Sequence, residues 1–225
     1  SVTVTGGSAT HNYAKIGAGG IANAAVGGTL LNSAVTVNAS AGNITLTSGA
    51  GGGAFTQIGA GGENWTGTKT GNVDVDANGL ISLTAGSATN AFSQIGAGGN
   101  NSGGTITSIT TVDSVIGGLI MNAAPGGNGA FVQIGVGGFE TDGALTGATT
   151  VNVNGNVVMT SGGNDNTFTQ IGVGGAGSDG AKDGATTVNA GAGTLTMTAG
   201  SDNNAYTQIG TGGNLGTGAI AAGNT

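Results

Sequence analysis

Ala54-Phe55-Thr56-Gln57-Ile58-Gly59-Ala60-Gly61-Gly62 decides how this chain is read, because the same phrase occurs six times. The other copies are NYAKIGAGG (residues 12–20), AFSQIGAGG (91–99), AFVQIGVGG (130–138), TFTQIGVGG (167–175) and AYTQIGTGG (205–213), alongside 54–62. The isoleucine falls at Ile16, Ile58, Ile95, Ile134, Ile171 and Ile209, at spacings of 42, 37, 39, 37 and 38 residues. A period of this length marks a solenoid, a propeller or an array. Residues 1–225 therefore read as a single array of six imperfect repeats.

A second element stands eleven residues ahead of the aromatic position of the phrase, as in Val2-Thr3-Val4-Thr5, Ile44-Thr45-Leu46-Thr47, Ile81-Ser82-Leu83-Thr84, Val157-Val158-Met159-Thr160 and Leu195-Thr196-Met197-Thr198. Leu119-Ile120-Met121-Asn122 is one residue further out, with Pro125 in the added turn. A third element precedes the second: Val35-Thr36-Val37, Val73-Asp74-Val75 and Val151-Asn152-Val153, with weaker copies at Val112 and Val188. These elements alternate apolar and polar residues, which is the period of a half-buried strand rather than of a helix. Their Val, Ile and Thr favour strands, and the glycine-rich clusters between them are turn signals. The fold class is all-β.

Composition narrows the function. The chain has 52 Gly, one Pro, no Cys and no Arg, with 6% charged residues and a net charge of −7. Three lysines are too few for the clustered basic footprint that nucleic acid requires. The absence of cysteine excludes disulfide frameworks and thiolate metal sites. No apolar run is long enough for a membrane-spanning helix, and the glycines do not follow the collagen period. No basic stretch precedes an apolar leader, so the chain reads as mature or as part of something larger.

Three short strands per repeat, joined by small glycine corners, suit one coil of a parallel β-solenoid better than a four-stranded propeller blade. In a solenoid, rungs stack at about 4.8 Å and like side chains form ladders. The predicted ladders are Tyr13, Phe55, Phe92, Phe131, Phe168 and Tyr206; Gln57, Gln94, Gln133, Gln170 and Gln208; and the six isoleucines. One coil per repeat is expected. Two coils of about nineteen residues would instead stack unlike residues, since the intervals from Val35 to Phe55 and from Phe55 to Val73 are 20 and 18. Ile44 and Leu46 should point inward, Thr45 and Thr47 outward. Length variation is expected mainly after the glycine corner, in surface loops carrying Glu63, Lys69, Glu140, Asp142, Asp179, Lys182 and Asp183.

Catalytic chemistry is poorly supplied. No glycine cluster carries the phosphate-loop pattern or precedes a helix. Aspartate does not recur as calcium-binding repeats require; Asp74 and Asp76 share a strand face but read as solvated. His11, the one histidine, lies in a turn without a recurring partner, and Glu63 and Glu140 are two repeats apart. No catalytic residue, metal site or cofactor is assigned, and the chain reads as non-enzymatic. Trp65 and Phe139 are loop aromatics that could stack on a sugar or anchor a loop. The outward Thr3/Thr5, Thr45/Thr47, Ser82/Thr84 and Thr196/Thr198 resemble the ranks of ice-binding solenoids, interrupted at Ile120/Asn122 and Val158/Thr160. Glycosylation sequons stand at Asn38, Asn43, Asn64 and Asn100.

Neither end reads as a polar cap of the kind that shields a terminal rung. From Ile209 to Thr225 and on from Ser1 to Ile16 is 32 residues, close to one repeat, so head-to-tail copies or a continuing chain could nearly extend the coil. Together the V-T-V, I-T-L-T-x-G and A-F-T-Q-I-G-A-G-G phrases resemble the repetitive β-solenoid regions of large bacterial surface proteins, the filamentous-haemagglutinin and autotransporter-like adhesins. The resemblance spans nearly the whole chain and implies an extracellular or cell-surface scaffold: a fibre, sheath or adhesin stalk that associates with itself end to end. The alternatives are a carbohydrate- or surface-binding module and, third, a polysaccharide-lyase-like enzyme.

Overall fold

The computed structural model describes residues 1–22, 28–123 and 127–221; Pro125 and its turn lie outside them. The chain winds as a parallel β-solenoid of about five turns, one coil per repeat. Phe92 pairs with Phe55 on one side and Phe131 on the other, which excludes the nineteen-residue coil.

Each coil contributes to five parallel sheets rather than to three elements. A threonine face is built from Val2–Thr5, Ile44–Thr47, Ile81–Thr84, Leu119–Asn122, Val157–Thr160 and Leu195–Thr198. A central sheet follows, from Tyr13–Ile16, Phe55–Ile58, Phe92–Ile95, Phe131–Ile134, Phe168–Ile171 and Tyr206–Ile209. The chain then turns into a glycine face (Gly19–Ile21, Gly61–Glu63, Gly98–Asn100, Gly137–Phe139). A two-residue face comes next (Lys69–Thr70, Ile106–Thr107, Leu145–Thr146, Lys182–Asp183). A valine face closes the coil (Val35–Ala39, Val73–Ala77, Thr110–Ser114, Thr149–Val153, Thr186–Asn189).

The threonine and valine faces behave as their alternation dictates. Ile44 and Leu46 are buried while Thr45 and Thr47 stand at the surface, and Val73 and Val75 are buried beneath Asp74 and Asp76. Their inward residues close on Ile58, Ile95, Ile134 and Ile171 to form the main aliphatic core. The central sheet differs. All four residues of Phe55–Ile58 are buried, as in the next three coils, because this sheet is covered on both sides. Thr56 and Ile58 look towards the aliphatic core; Phe55 and Gln57 look towards the glycine face. The solenoid thus has a partition down its middle instead of one lumen.

The glycine face explains the phrase Ile-Gly-x-Gly-Gly. Gly98 has φ +130, a backbone conformation open only to glycine, and a Cβ there would collide with the Gly137 carbonyl of the next coil. Backbone therefore lies directly on backbone, and at Gly20 a Cβ would meet the Tyr13 ring, so the sheet also lies flat against the aromatic column. A second backbone column stands two residues ahead of each ring, where His11, Gly53, Asn90, Gly129, Asn166 and Asn204 all have φ between 58 and 69. Asn and Gly tolerate that conformation best, which accounts for their recurrence at this corner.

One expectation needs correcting. From the second coil onward the loop after the corner is constant, with fifteen residues from Ile58, Ile95, Ile134 and Ile171 to their partners Val73, Thr110, Thr149 and Thr186. The variation lies in the first coil and in the stretches flanking the threonine face, and the strand register is kept across it.

The glycine face yields a sharp contrast. Gly98→Ala is expected to lower unfolding free energy by at least about 3 kcal/mol, through backbone clash and strain. Gly163→Ala, at an exposed glycine where a Cβ would meet only Ser201 Oγ at an ordinary 3.7 Å, should stay within about 0.5 kcal/mol of the parent. Urea denaturation of the two variants is the check.

Candidate functional site

Catalytic groups do not organise this molecule; stacked columns do. The six rings form an unbroken stack with centroids 4.7–5.1 Å apart and planes within 5° of parallel. Parallel stacking at this spacing is imposed by the rung distance, and aromatic pairs of this kind contribute about 0.5–1.5 kcal/mol each beyond their burial. Phe139 packs against this column from the glycine face, so it anchors a loop.

Beside the rings runs the glutamine column. Gln57 Nε2 donates to Gln94 Oε1 at 2.8 Å, and Gln94 Nε2 reaches Gln133 Oε1 at 3.4 Å. Each amide also donates forward to a glycine carbonyl of the next coil: Gln57 to Gly98, Gln94 to Gly137, Gln133 to Gly174 and Gln170 to Gly212. A buried amide must find partners, and here the glycine backbone supplies them. In the first coil the column holds Lys15 instead, whose ammonium takes the same forward role, donating to Gln57 Oε1 and to the Gly61 carbonyl.

Lys69 and Lys182 were expected in surface loops, as was Glu63; all three are buried. Lys69 and Lys182 occupy the two-residue face in line with Ile106 and Leu145. The Lys69 stem fills the column position and its ammonium donates to the carbonyls of Trp65, Gly67 and Gly103 at 2.6–2.9 Å. Lys182 donates to Ser178 and Gly180 in the same way. A signal for this was present: each lysine stands eleven residues after the phrase isoleucine, as do Ile106, Leu145 and Ile220. Burial pushes the Lys69 amine down to about 8, and burial, with a smaller effect from Lys69, brings Lys15 to about 7.

The remaining candidates are dispersed. His11 Nδ1 lies 2.6 Å from Glu63 Oε2, with the imidazole half exposed and the carboxylate buried; Asn100 Nδ2 approaches Glu63 Oε1 at 3.4 Å. This ties the first coil's corner to the second coil. Asn100 is buried, so its sequon is closed to modification in the folded chain, whereas Asn38 is exposed. Trp65 donates its indole N–H to the Gly28 carbonyl at 3.0 Å. On the valine face Asp76 stacks against Asp113 with Asp74 beside it, along an open groove of about 280 Å³ that Asn38 also lines. Burial, then Asp74 and Asp113, raises the Asp76 carboxyl. Asn152 donates to Asp113 at 2.8 Å, and no group of three potential ligands that could hold a metal occurs among the described residues. The threonine ranks are in register, with Ile120 and Val158 stacked within them.

The two end coils present what the interior hides. Leu195 and Met197, in line with the buried Val157 and Met159, are 51% and 39% exposed, and Ile220 is 54% exposed. At the other end the Tyr13 ring is 46% exposed. No helix of the described residues is long and apolar enough to cross a membrane. Comparison of the chain with family models, curated proteins and solved structures finds no match.

Two outcomes follow from the lysines. The native chain should resist trypsin, because the bonds after Lys15, Lys69 and Lys182 all lie inside strands, and should fall to four fragments once unfolded; native cleavage at Lys69 would contradict the carbonyl cage. Stability should also rise with pH above about 8. Folded Lys69 releases its proton near pH 8 but the unfolded chain only near 10.4, so the unfolded state holds more protons in that window and folding gains about 1.4 kcal/mol per pH unit there. Lys69→Ile should remove this group's share and lessen the rise of the urea midpoint between pH 8 and 10, while Lys15, brought to about 7, keeps its own share.

Proposed function

We propose that this chain is structural material, a segment or subunit of an extracellular fibre, sheath or adhesin stalk that grows by axial stacking of its coils. The observation that supports this most is the match between its ends. Leu195–Thr198 closes the same sheet that Val2–Thr5 opens, and Tyr206–Ile209 the same sheet that Tyr13–Ile16 opens. A second copy added at Leu195 would therefore set Tyr13 on Tyr206 and Ile16 on Ile209, covering Leu195 and Met197.

Unpaired strand edges above an open apolar interior are templates for further strands, and heterologous contacts that do not close give filaments. The valine face has five strands, the last at Thr186–Asn189, against six in the threonine and central faces. The adhesin-like phrases support the extracellular setting. The loop aromatics give less support to glycan binding, since Phe139 packs on the ring column and Trp65 is tied to Gly28.

Electron microscopy and sedimentation of the purified chain test the proposal. Particles of heterogeneous length with an axial repeat near 29 Å, six rungs at about 4.8 Å, are expected. A monodisperse monomer at high concentration would overturn it.

A further inference from the structure

We propose that the turn following Thr110–Ser114 is a docking surface on the side of the solenoid, for a segment of another protein that carries both apolar and cationic side chains. The turn belongs to a coil covered above and below by its neighbours, so its exposure owes nothing to the end coils or to axial stacking.

Interior positions are governed by what lies above and below them; outward positions are free of that demand. The turn from the valine face to the threonine face is Asn78-Gly79 in the preceding coil and Asn154-Gly155 in the following one. In line with them stand Val115 and Ile116, which are 64% and 68% exposed. Ile120 follows four residues on, exposed in the rank that holds Thr45 and Ser82, with half-buried Val158 beyond it. A single exposed apolar residue needs no explanation, whereas a cluster of them marks an interaction surface.

The turn is held rigidly. The Val115 and Ile116 amides donate to the Ala77 and Asn78 carbonyls at 3.0 and 2.9 Å. Ser114 Oγ donates to the Gly79 carbonyl at 2.6 Å and accepts from the Gly117 N–H at 3.1 Å. A surface already ordered in this way loses little conformational freedom when a partner settles on it.

Charge selects the partner. Val115 borders the open groove whose wall includes Asp76 and Asp113, stacked one rung apart with Asp74 beside them. The chain supplies these carboxylates with no cation: Lys69 and Lys182 are buried on another face, Lys15 lies in the central sheet, and the one ion pair among the described residues joins His11 to Glu63. A second copy of the chain would bring a further net charge of −7 and the same inward lysines. The occupant is therefore a different chain. Its apolar side chains cover Val115 and Ile116 as the anchor, while its Lys or Arg groups reach Asp76 and Asp113, where complementary charge confers specificity.

Fluorescence anisotropy of a labelled peptide of alternating leucine and lysine, titrated with the full chain, tests this. One variant combines Val115→Asn with Ile116→Gly; the other combines Asp76→Asn with Asp113→Asn. Each substitution installs the residue that an adjacent coil carries in the same column, and circular dichroism verifies the fold. Saturable binding to wild type is expected, weakened at least about fivefold by either pair of substitutions. Peptides of alternating leucine and glutamate, or of serine and lysine, should bind wild type at least about fivefold more weakly than the leucine–lysine peptide. No saturable binding of the leucine–lysine peptide, equal binding to the Val115→Asn, Ile116→Gly variant, or equal binding of the serine–lysine peptide would overturn the proposal. So would sedimentation showing wild-type pairs that the Val115→Asn, Ile116→Gly variant no longer forms, since a second copy would then cover the turn.

Discussion

Every coil of this protein lies on its neighbour at one strand spacing, with the backbone amides of one turn bonded to the carbonyls of the next and each side chain resting on its own counterpart. That constraint dictates the rest. A ring must sit on a ring at 4.7–5.1 Å, an amide on an amide, and where the backbones of two coils touch without a side chain between them only glycine is admitted. A chain with 52 glycines and few large apolar residues can still bury a core this way. Neighbouring coils supply contacts that a globular fold would obtain from larger side chains, and stability accrues nearly as a sum over coils and their interfaces.

The same constraint shapes how charge is handled. The three lysines, all the cations the side chains offer apart from His11, turn inward onto carbonyls or the glutamine column. Asp74, Asp76 and Asp113 stay on an outer face. An ammonium held only by neutral carbonyls is costly unless its hydrogen bonds are complete. Lys69 meets that condition with three acceptors. Lys15, at an end coil, meets it with two.

Much of this was legible in the residues themselves. The phrase spacing establishes the coil, and Phe55, Gln57 and Ile58 recur because each must fit its own copy. The alternation in Ile44–Thr47 correctly separates inside from outside. Other features were hidden for physical reasons. Phe55-Thr56-Gln57-Ile58 has two polar residues at its centre, which ordinarily mark a solvent-facing position, yet Thr56 and Gln57 are buried because hydroxyls and amides satisfy one another along the axis, as Thr56 and Ser93 do at 2.8 Å. Gly61 and Gly62 read as a turn but are extended, since glycine reaches strand-like geometry at positive φ. Lys69, Lys182 and Glu63 read as loop charges because charge ordinarily marks the surface. Their fixed offset from the isoleucine outweighs that rule.

The central claim is that successive repeats lie one rung apart along a common axis. Spin labels on cysteines introduced at Thr3 and Thr196, outward positions of one column separated by five rungs, measure this directly in a chain that has no cysteine of its own. Pulsed dipolar spectroscopy should give a single narrow distance near 24 Å, five rungs at about 4.8 Å. A distance near 48 Å, as two coils per repeat would produce, or a broad distribution from independently placed units, would contradict the account.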